Sequence, residues 1–305
     1  NAVEGLISIF APNGTYIPGM KFILKKKSIR GVEGDGMLCS EKELNLPETI
    51  DGIIELNSNY RIGNSLDKYY KKDYLFQIGL TPNRGDCASV RGVARELSAK
   101  FEEKINKRNV NLKKGDFESS IKWNLTKLKN KNDCPIIYGR HFKIIKNCDS
   151  PKWLKRKLES LGLNPISALV DITNFVLYDL GRPLHIFDLN KIEGNLRLEI
   201  FDKEEKFYGI DKKEYILKKG DLVICDDKKV VSLAGIMGGL NSCVDKNTKE
   251  AFLEVAYFDP KKIAETGRRT GVVSDSRYRF ERGIDREGLI EGLEFGTKLI
   301  SDICG

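Results

Sequence analysis

Phe252-Leu253-Glu254-Val255-Ala256-Tyr257-Phe258 is the stretch that decides the fold class. It is a short apolar and aromatic run, which reads as a strand. A period of two puts Phe252, Glu254, Ala256 and Phe258 on one face. A carboxylate among such neighbours is either solvent-facing on a half-covered strand or buried with a partner, and the residues alone favour the exposed strand. Upstream, Leu196, Leu198 and Ile200 alternate with Arg197 and Glu199, and Leu222–Cys225, Val230–Ala234 and Ile136–Ile145 read as further strands.

Between these runs the period changes to that of helices. Ser150-Pro151 offers an N-cap and a first-turn proline to a stripe of Leu154, Leu158 and Leu161 that ends at Gly162. Arg286 to Ile303 is helical, with Leu289, Leu293 and Ile300 inward. Strands and helices follow one another irregularly, so the expected class is α+β, a mixed sheet with flanking helices. Residues 1–60, with short runs such as Leu6-Ile7-Ser8-Ile9-Phe10, read as small strands of a separate β segment. Residues 61–115 form a small linking domain around Leu80-Thr81-Pro82-Asn83-Arg84-Gly85-Asp86. There Asp86 is the expected N-cap of a helix with Val90, Val93, Ala94 and Leu97 on one face. The polar, periodless stretch 101–134 holds the junction with the main domain, residues 116–305.

With 40% hydrophobic and 31% charged residues, the 305-residue chain can bury a core without a metal or disulfide staple. No apolar run approaches the roughly 20 residues that span a bilayer, so no membrane partner is expected. The chain opens Asn1-Ala2-Val3 without methionine, which points to an excised piece. Seven cysteines at irregular spacing and only two histidines, His141 and His185, argue against a disulfide framework and against zinc. The expectation is a reducing cytoplasm and no metal. Neither a phosphate-binding G-x-x-x-x-G-K-[ST] loop nor a G-x-S-x-G elbow is present. The net charge of +8 suits an anionic partner such as nucleic acid, but it suits a lysine-rich solvated surface equally well.

Two further segments could carry chemistry. Val170-Asp171-Ile172-Thr173-Asn174-Phe175 leads into Gly181-Arg182-Pro183-Leu184-His185-Ile186-Phe187-Asp188. A short helix stopping at Gly181 and Pro183 presents Thr173 and Asn174 near one end and His185 beyond the other. By default a lone histidine among apolar neighbours is a packing residue, and Thr and Asn favour helix starts. Leu233-Ala234-Gly235-Ile236-Met237-Gly238-Gly239 lets a backbone approach something closely, or merely turns tightly.

These segments, in order with Ser150-Pro151-x-Trp153-Leu154 and Arg279-Phe280-Glu281-Arg282-Gly283-Ile284-Asp285, resemble the editing domain of bacterial phenylalanyl-tRNA synthetase β subunits. Leu80-Thr81-Pro82-Asn83-Arg84-x-Asp86-Cys87 resembles the domain preceding it. Arg30-Gly31-Val32-x-Gly34-x-Gly36-Met37-Leu38-Cys39-Ser40 resembles the end of the family's tRNA-binding OB-fold insertion. Residues 1–60 would thus be a partial OB-like segment holding only the later strands. Gly85 stands where the family more often has proline, and Gly34 where serine is usual; neither belongs to the editing pocket.

The resemblance implies a pocket lined by His185 and Glu254, with Thr173, Asn174, Gly235 and Ala256 around them. Glu254 and His185 would recognise the hydroxyl of a misattached tyrosine, while the small Gly235 and Ala256 leave room for its ring. His185, Asn174 and Thr173 are the candidates for the catalytic work, with His185 as a positioning group rather than a base. The physical reason for such a site is that a hydrophobic pocket rejects an isostere bearing one extra hydroxyl only roughly 10²-fold. A second pocket that hydrogen-bonds the hydroxyl inverts the preference. Hydrolysis of the reactive ester then needs an oriented water and oxyanion donors, here Asn174 and N–H groups near Gly235. The implied partners are tRNA(Phe), the misattached tyrosine and, in the full αβ heterotetramer, the synthetase α subunit. No cofactor is implied for this chain; ATP and Mg belong to the full synthetase. A second reading is a non-catalytic tRNA-binding and subunit-scaffolding piece. A generic nucleic-acid-binding module lacks the aromatic-rich RNA-binding signature it would need.

Overall fold

The computed structural model describes residues 1–46, 51–57, 59–68, 74–106, 110 and 115–305. The chain divides into two units, residues 1–74 and residues 75–305. Part of the expected junction at residue 115 lies outside the described residues.

The smaller unit is built of short strands: β1 (Phe10–Pro12), β2 (Tyr16–Ile17), β3 (Phe22–Ile23), β4 (Lys27–Ile29), β5 (Val32–Gly34) and β6 (Gly36–Leu38). They pair as three antiparallel ribbons, β1 with β6, β2 with β3 and β4 with β5. The strand expected at Leu6–Phe10 starts only at Phe10, and Ile7 contributes an isolated bridge to Leu56. Ala11, Ile17 and Cys39 form the small core.

The larger unit opens with α1 (Val90–Phe101), whose N-cap is Ser89 and not the expected Asp86. The Ser89 hydroxyl accepts the Gly92 N–H, while Asp86 sits in the preceding 3₁₀ turn. Val90 and Leu97, expected inward, are exposed, and the buried position of this helix is Gly92. Next come β7 (Trp123–Asn124), β8 (Ile136–Phe142), α2 (Lys152–Ser160) and α3 (Ala168–Leu180), the last closed by Gly181 at φ 68°. Pro151, not Ser150, takes the cap position of α2, because the Ser150 hydroxyl donates to Asp171 at 2.5 Å.

The remaining elements are β9 (His185–Asp188), β10 (Leu196–Ile200), β11 (Glu205–Tyr208), β12 (Glu214–Leu217), β13 (Leu222–Cys225), β14 (Val230–Leu233), β15 (Met237–Gly238), β16 (Ala251–Tyr257), α4 (Pro260–Thr270), α5 (Asp275–Phe280) and α6 (Leu289–Cys304). A five-stranded sheet runs β15-β14-β13-β10-β7, antiparallel except for the β10–β7 pair. A three-stranded antiparallel sheet runs β8-β16-β9, with β11 and β12 as a separate ribbon. The class is therefore α+β with a mixed sheet, as the patterning requires. No helix among the described residues is long and apolar enough to cross a membrane.

Strand β16 is the centre of this unit because both its faces are covered. Its odd-numbered residues face helices: Leu253 packs at the Gly296 position of α6, and on β8 Arg140 donates two hydrogen bonds to Glu294 of α6, at 2.6 and 2.9 Å. Its even-numbered residues face the larger sheet. Trp123 of β7 meets the Phe252 ring edge-on at 5.8 Å, and Gly238 of β15 lies against His185 of β9. Aromatic area of this size dominates core stability. Two sheets that pack through their inner faces in this way enclose Glu254.

Candidate functional site

Antiparallel pairing sets His185 directly opposite Glu254, so both side chains stand on the face of the small sheet that meets the large one. The other neighbour of Glu254 is Gly139 of β8, which contributes no side chain there. Glu254 is 5% exposed, which overturns the exposed-strand reading: alternation along β16 is not alternation between core and water when a second sheet covers the outer face. The alternative, burial with a partner, does not describe it either. Its Oε2 is shut off from solvent and has no hydrogen-bond partner, and the same is true of His185 Nε2. Buried polar atoms are nearly always paired, so two orphans on one register pair are exceptional.

Burial has the expected electrostatic result. It pushes the Glu254 carboxyl up from 4.5 to about 8 and the His185 imidazole down from 6.5 to about 4. Both groups are thus held largely neutral near pH 7. The His185 ring is fixed edge-on against Phe187 at 4.4 Å and by the backbone of Gly238, where a Cβ would fall 3.0 Å from Nε2.

Ala256 follows Glu254 on the same face of β16 and is 1% exposed, so its small side chain lies beside the pair. Gly235 makes the turn between β14 and β15 at φ 68°, a left-handed conformation that favours glycine. A Cβ there would meet Phe258 at 2.8 Å and Phe280 at 3.1 Å, so the glycine is required by packing at the far end of the same face. The neighbouring N–H groups of Ala234 and Ile236 are engaged by Leu222 and Leu233 carbonyls. Thr173 and Asn174 lie inside α3 rather than at its cap. The Thr173 hydroxyl donates to the Val170 carbonyl at 2.7 Å, and among the described residues no hydrogen bond ties either residue to the Glu254–His185 pair.

Sequence reasoning did not single out three residues that shape the site. Gly238 abuts His185, Gly139 faces Glu254, and Trp123 lies over Gly139 with its Nε1 buried and unpaired. The first belonged to a glycine-rich stretch read as a turn, and Trp123 fell in a segment without period. Two surface cavities lie away from the pair, one against Ser89, Arg182 and Gly288, the other against Phe207, Tyr208 and Lys229. A cluster of possible metal donors, Asp86, Cys87 and Glu96, is gripped by Arg84, whose Nη2 lies 3.0, 2.8 and 2.7 Å from them.

Over its whole length the chain is similar to phenylalanine–tRNA ligase β subunits: 46% identical over 306 residues to that of Gluconobacter oxydans (strain 621H), and 46% to that of Paramagnetospirillum magneticum (strain ATCC 700264 / AMB-1). The β subunit of Brucella abortus (strain 2308) is 44% identical. In each case all of this chain is covered, and it spans 37% to 38% of the relative's length. A solved N-terminal fragment of the phenylalanyl-tRNA synthetase β subunit from Pyrococcus horikoshii, 18% identical over 62% of this chain and 59% of that one, has a TM-score of 0.34, too low to carry a structural argument. Residues 133–305, which contain both sheets' strands from β8 onward and the Glu254–His185 pair, match the model of the B3/4 domain, and the chain belongs to the B3/4 domain family.

Proposed function

We propose that the chain is the editing module of a phenylalanine–tRNA ligase β subunit and hydrolyses tyrosine misattached to tRNA(Phe). The observation that carries this reading is the buried, unpartnered Glu254 Oε2 opposite His185 on a largely apolar inter-sheet face. Such a face offers apolar surface to an aromatic ring, and its orphaned oxygen suits a ligand that brings a hydroxyl to the ring's far end. Phenylalanine leaves the polar atoms unpaired, which is how a polar pocket rejects the analogue lacking the group. Hydrolysis follows from holding the ester beside an oriented water, with Asn174 and Thr173 as the candidates for that end of the substrate and no protein nucleophile required. The partners on this reading are tRNA(Phe) and the α subunit, and ATP and Mg serve only the full synthetase.

The test is calorimetric titration with tyrosinamide and phenylalaninamide, which are non-hydrolysable stand-ins for the esters, on wild type and Glu254→Ala. A charge-assisted hydrogen bond of roughly 1.5–3 kcal/mol gives about a 10- to 150-fold loss for tyrosinamide. Phenylalaninamide binding stays level or improves. At pH 7 an acid with a pKa near 8 must first give up its proton to accept in this way, so the preference for tyrosine should grow as pH rises toward 9 in the wild type alone. Equal losses for both ligands would make Glu254 a structural residue and leave the scaffolding reading in its place.

A further inference from the structure

Trp123 has no place in the reading above, yet its indole nitrogen is the third unpartnered polar atom on the same inter-sheet face. Its position follows from the register. Gly139 is the β8 neighbour of Glu254, on the side opposite His185. A Cβ built on Gly139 would fall 3.0 Å from Trp123 Nε1 and would run into the Phe252 ring. Phe252, two residues from Glu254 on the same face, holds the indole edge-on. Directly paired residues in a sheet have Cβ positions about 4.5–5.5 Å apart, so the N–H hangs over the position next to the Glu254 carboxyl. The one polar side chain of β8 on this face, His141, is already engaged: its Nε2 with Glu250 at 2.7 Å and its Nδ1 with Ser119 at 3.1 Å. Trp123 and His185 therefore flank Glu254, the first over β8 and the second on β9.

An indole N–H only donates, a carboxylate only accepts, and a phenol oxygen can do both at once. We propose that Trp123 is a specificity-determining residue of this site: its N–H donates to the para-hydroxyl oxygen of the bound aromatic amino acid while that hydroxyl donates to Glu254. This rests on the editing reading and extends it, since the ligand class becomes one whose ring carries a group that both donates and accepts. A para-methoxy ring, which accepts only, would satisfy Trp123 and not the ionised Glu254 carboxylate. A tyrosine hydroxyl satisfies both.

The experiment removes the N–H and keeps the ring. The chain has two tryptophans, and Trp153 is 46% exposed, so Trp153→Phe leaves Trp123 as the one position to label. Biosynthetic replacement by benzothienylalanine then puts sulfur where Nε1 stands. Tyrosinamide and phenylalaninamide are titrated against Trp153→Phe protein with and without the analogue, alongside Glu254→Ala in the same background. The expected result is about a 2- to 10-fold weaker tyrosinamide affinity for the analogue protein, the range of one neutral hydrogen bond, with phenylalaninamide affinity and melting temperature unchanged. An unaltered tyrosinamide affinity, or equal losses for both ligands, in a protein whose preference Glu254→Ala still abolishes would overturn the role of Trp123 and leave the editing reading standing. If the unlabelled protein shows no preference for tyrosinamide, both fall together.

Discussion

Glu254 and His185 titrate in opposite senses for one cause, removal from water, and the consequence for stability can be separated by pH. The Glu254 carboxyl is raised from 4.5 to about 8 in the fold. Below pH 4.5 folded and unfolded chains both hold its proton, so its contribution is fully present. As pH rises toward 8 the unfolded chain ionises and the folded one does not, and that contribution is lost. His185, lowered from 6.5 to about 4, behaves in the reverse way: its contribution is present above 6.5 and is lost as pH falls through about 4. Between pH 6.5 and 8, then, only Glu254 of the two changes stability. At about 1.4 kcal/mol per pH unit, wild type should lose roughly 2 kcal/mol across this window relative to Glu254→Gln, whose amide does not titrate. Urea unfolding of both proteins at pH 6.5 and 8 measures this. Parallel losses would show that Glu254 ionises at ordinary acidity, paired with a cation in solution.

At the scale of elements, the site depends on how closely β15 approaches β9. Gly238 has ordinary backbone geometry, so alanine is tolerated by the strand itself, but its Cβ would meet the His185 ring at Cε1, Nε2 and Nδ1 together. Gly238→Ala should therefore displace the imidazole, at an overpacking cost of about 1–3 kcal/mol, and weaken tyrosinamide binding more than the cost to the fold suggests. An NMR shift of the His185 ring with unchanged tyrosinamide affinity would show that the imidazole position is immaterial to recognition. Most of these elements were legible from period alone: β10, β13, β14, β16, α2 and α6 fall where the apolar patterns put them. The features that were not legible depend on distant chain. The Ser150 hydroxyl is drawn away from its cap by Asp171, and the inward face of α1 cannot be told from its outward one when glycine is what it buries. Glu254 looked exposed because nothing within β16 reveals that Trp123 and Gly238 come from another sheet to cover it. His185 and Glu254 were legible as a pair only through the resemblance, since their adjacency is a matter of register between strands far apart in sequence.

At the scale of the molecule, the two units differ in what holds them. Among the described residues the smaller one buries only four apolar side chains, Ala11, Ile17, Cys39 and Ile54, around short ribbons, whereas the larger one buries a continuous cluster drawn from both sheets and from α2, α3, α4, α5 and α6. Helix α1 and its preceding turn go with the larger unit. Arg279 of α5 is 5% exposed and its Nε donates to the Ala88 carbonyl at 3.0 Å, while its guanidinium lies 4.7 Å from the Tyr178 ring of α3. Removing Ala88 would leave that buried guanidinium short of an acceptor, a loss of about 1.5–3 kcal/mol for a hydrogen bond to a charged group. Two truncations follow from this asymmetry. A chain of residues 75–305 should melt cooperatively within a few degrees of the larger unit in the full chain, because every group named here as part of the site or its support lies within it. A chain of residues 116–305 should melt lower, by roughly 3–12 °C for a loss of that size in a domain near 200 residues. Equal melting temperatures for the two would show that α1 contributes nothing to the fold around the site. Loss of a cooperative transition in residues 75–305 would show instead that the larger unit does not fold alone.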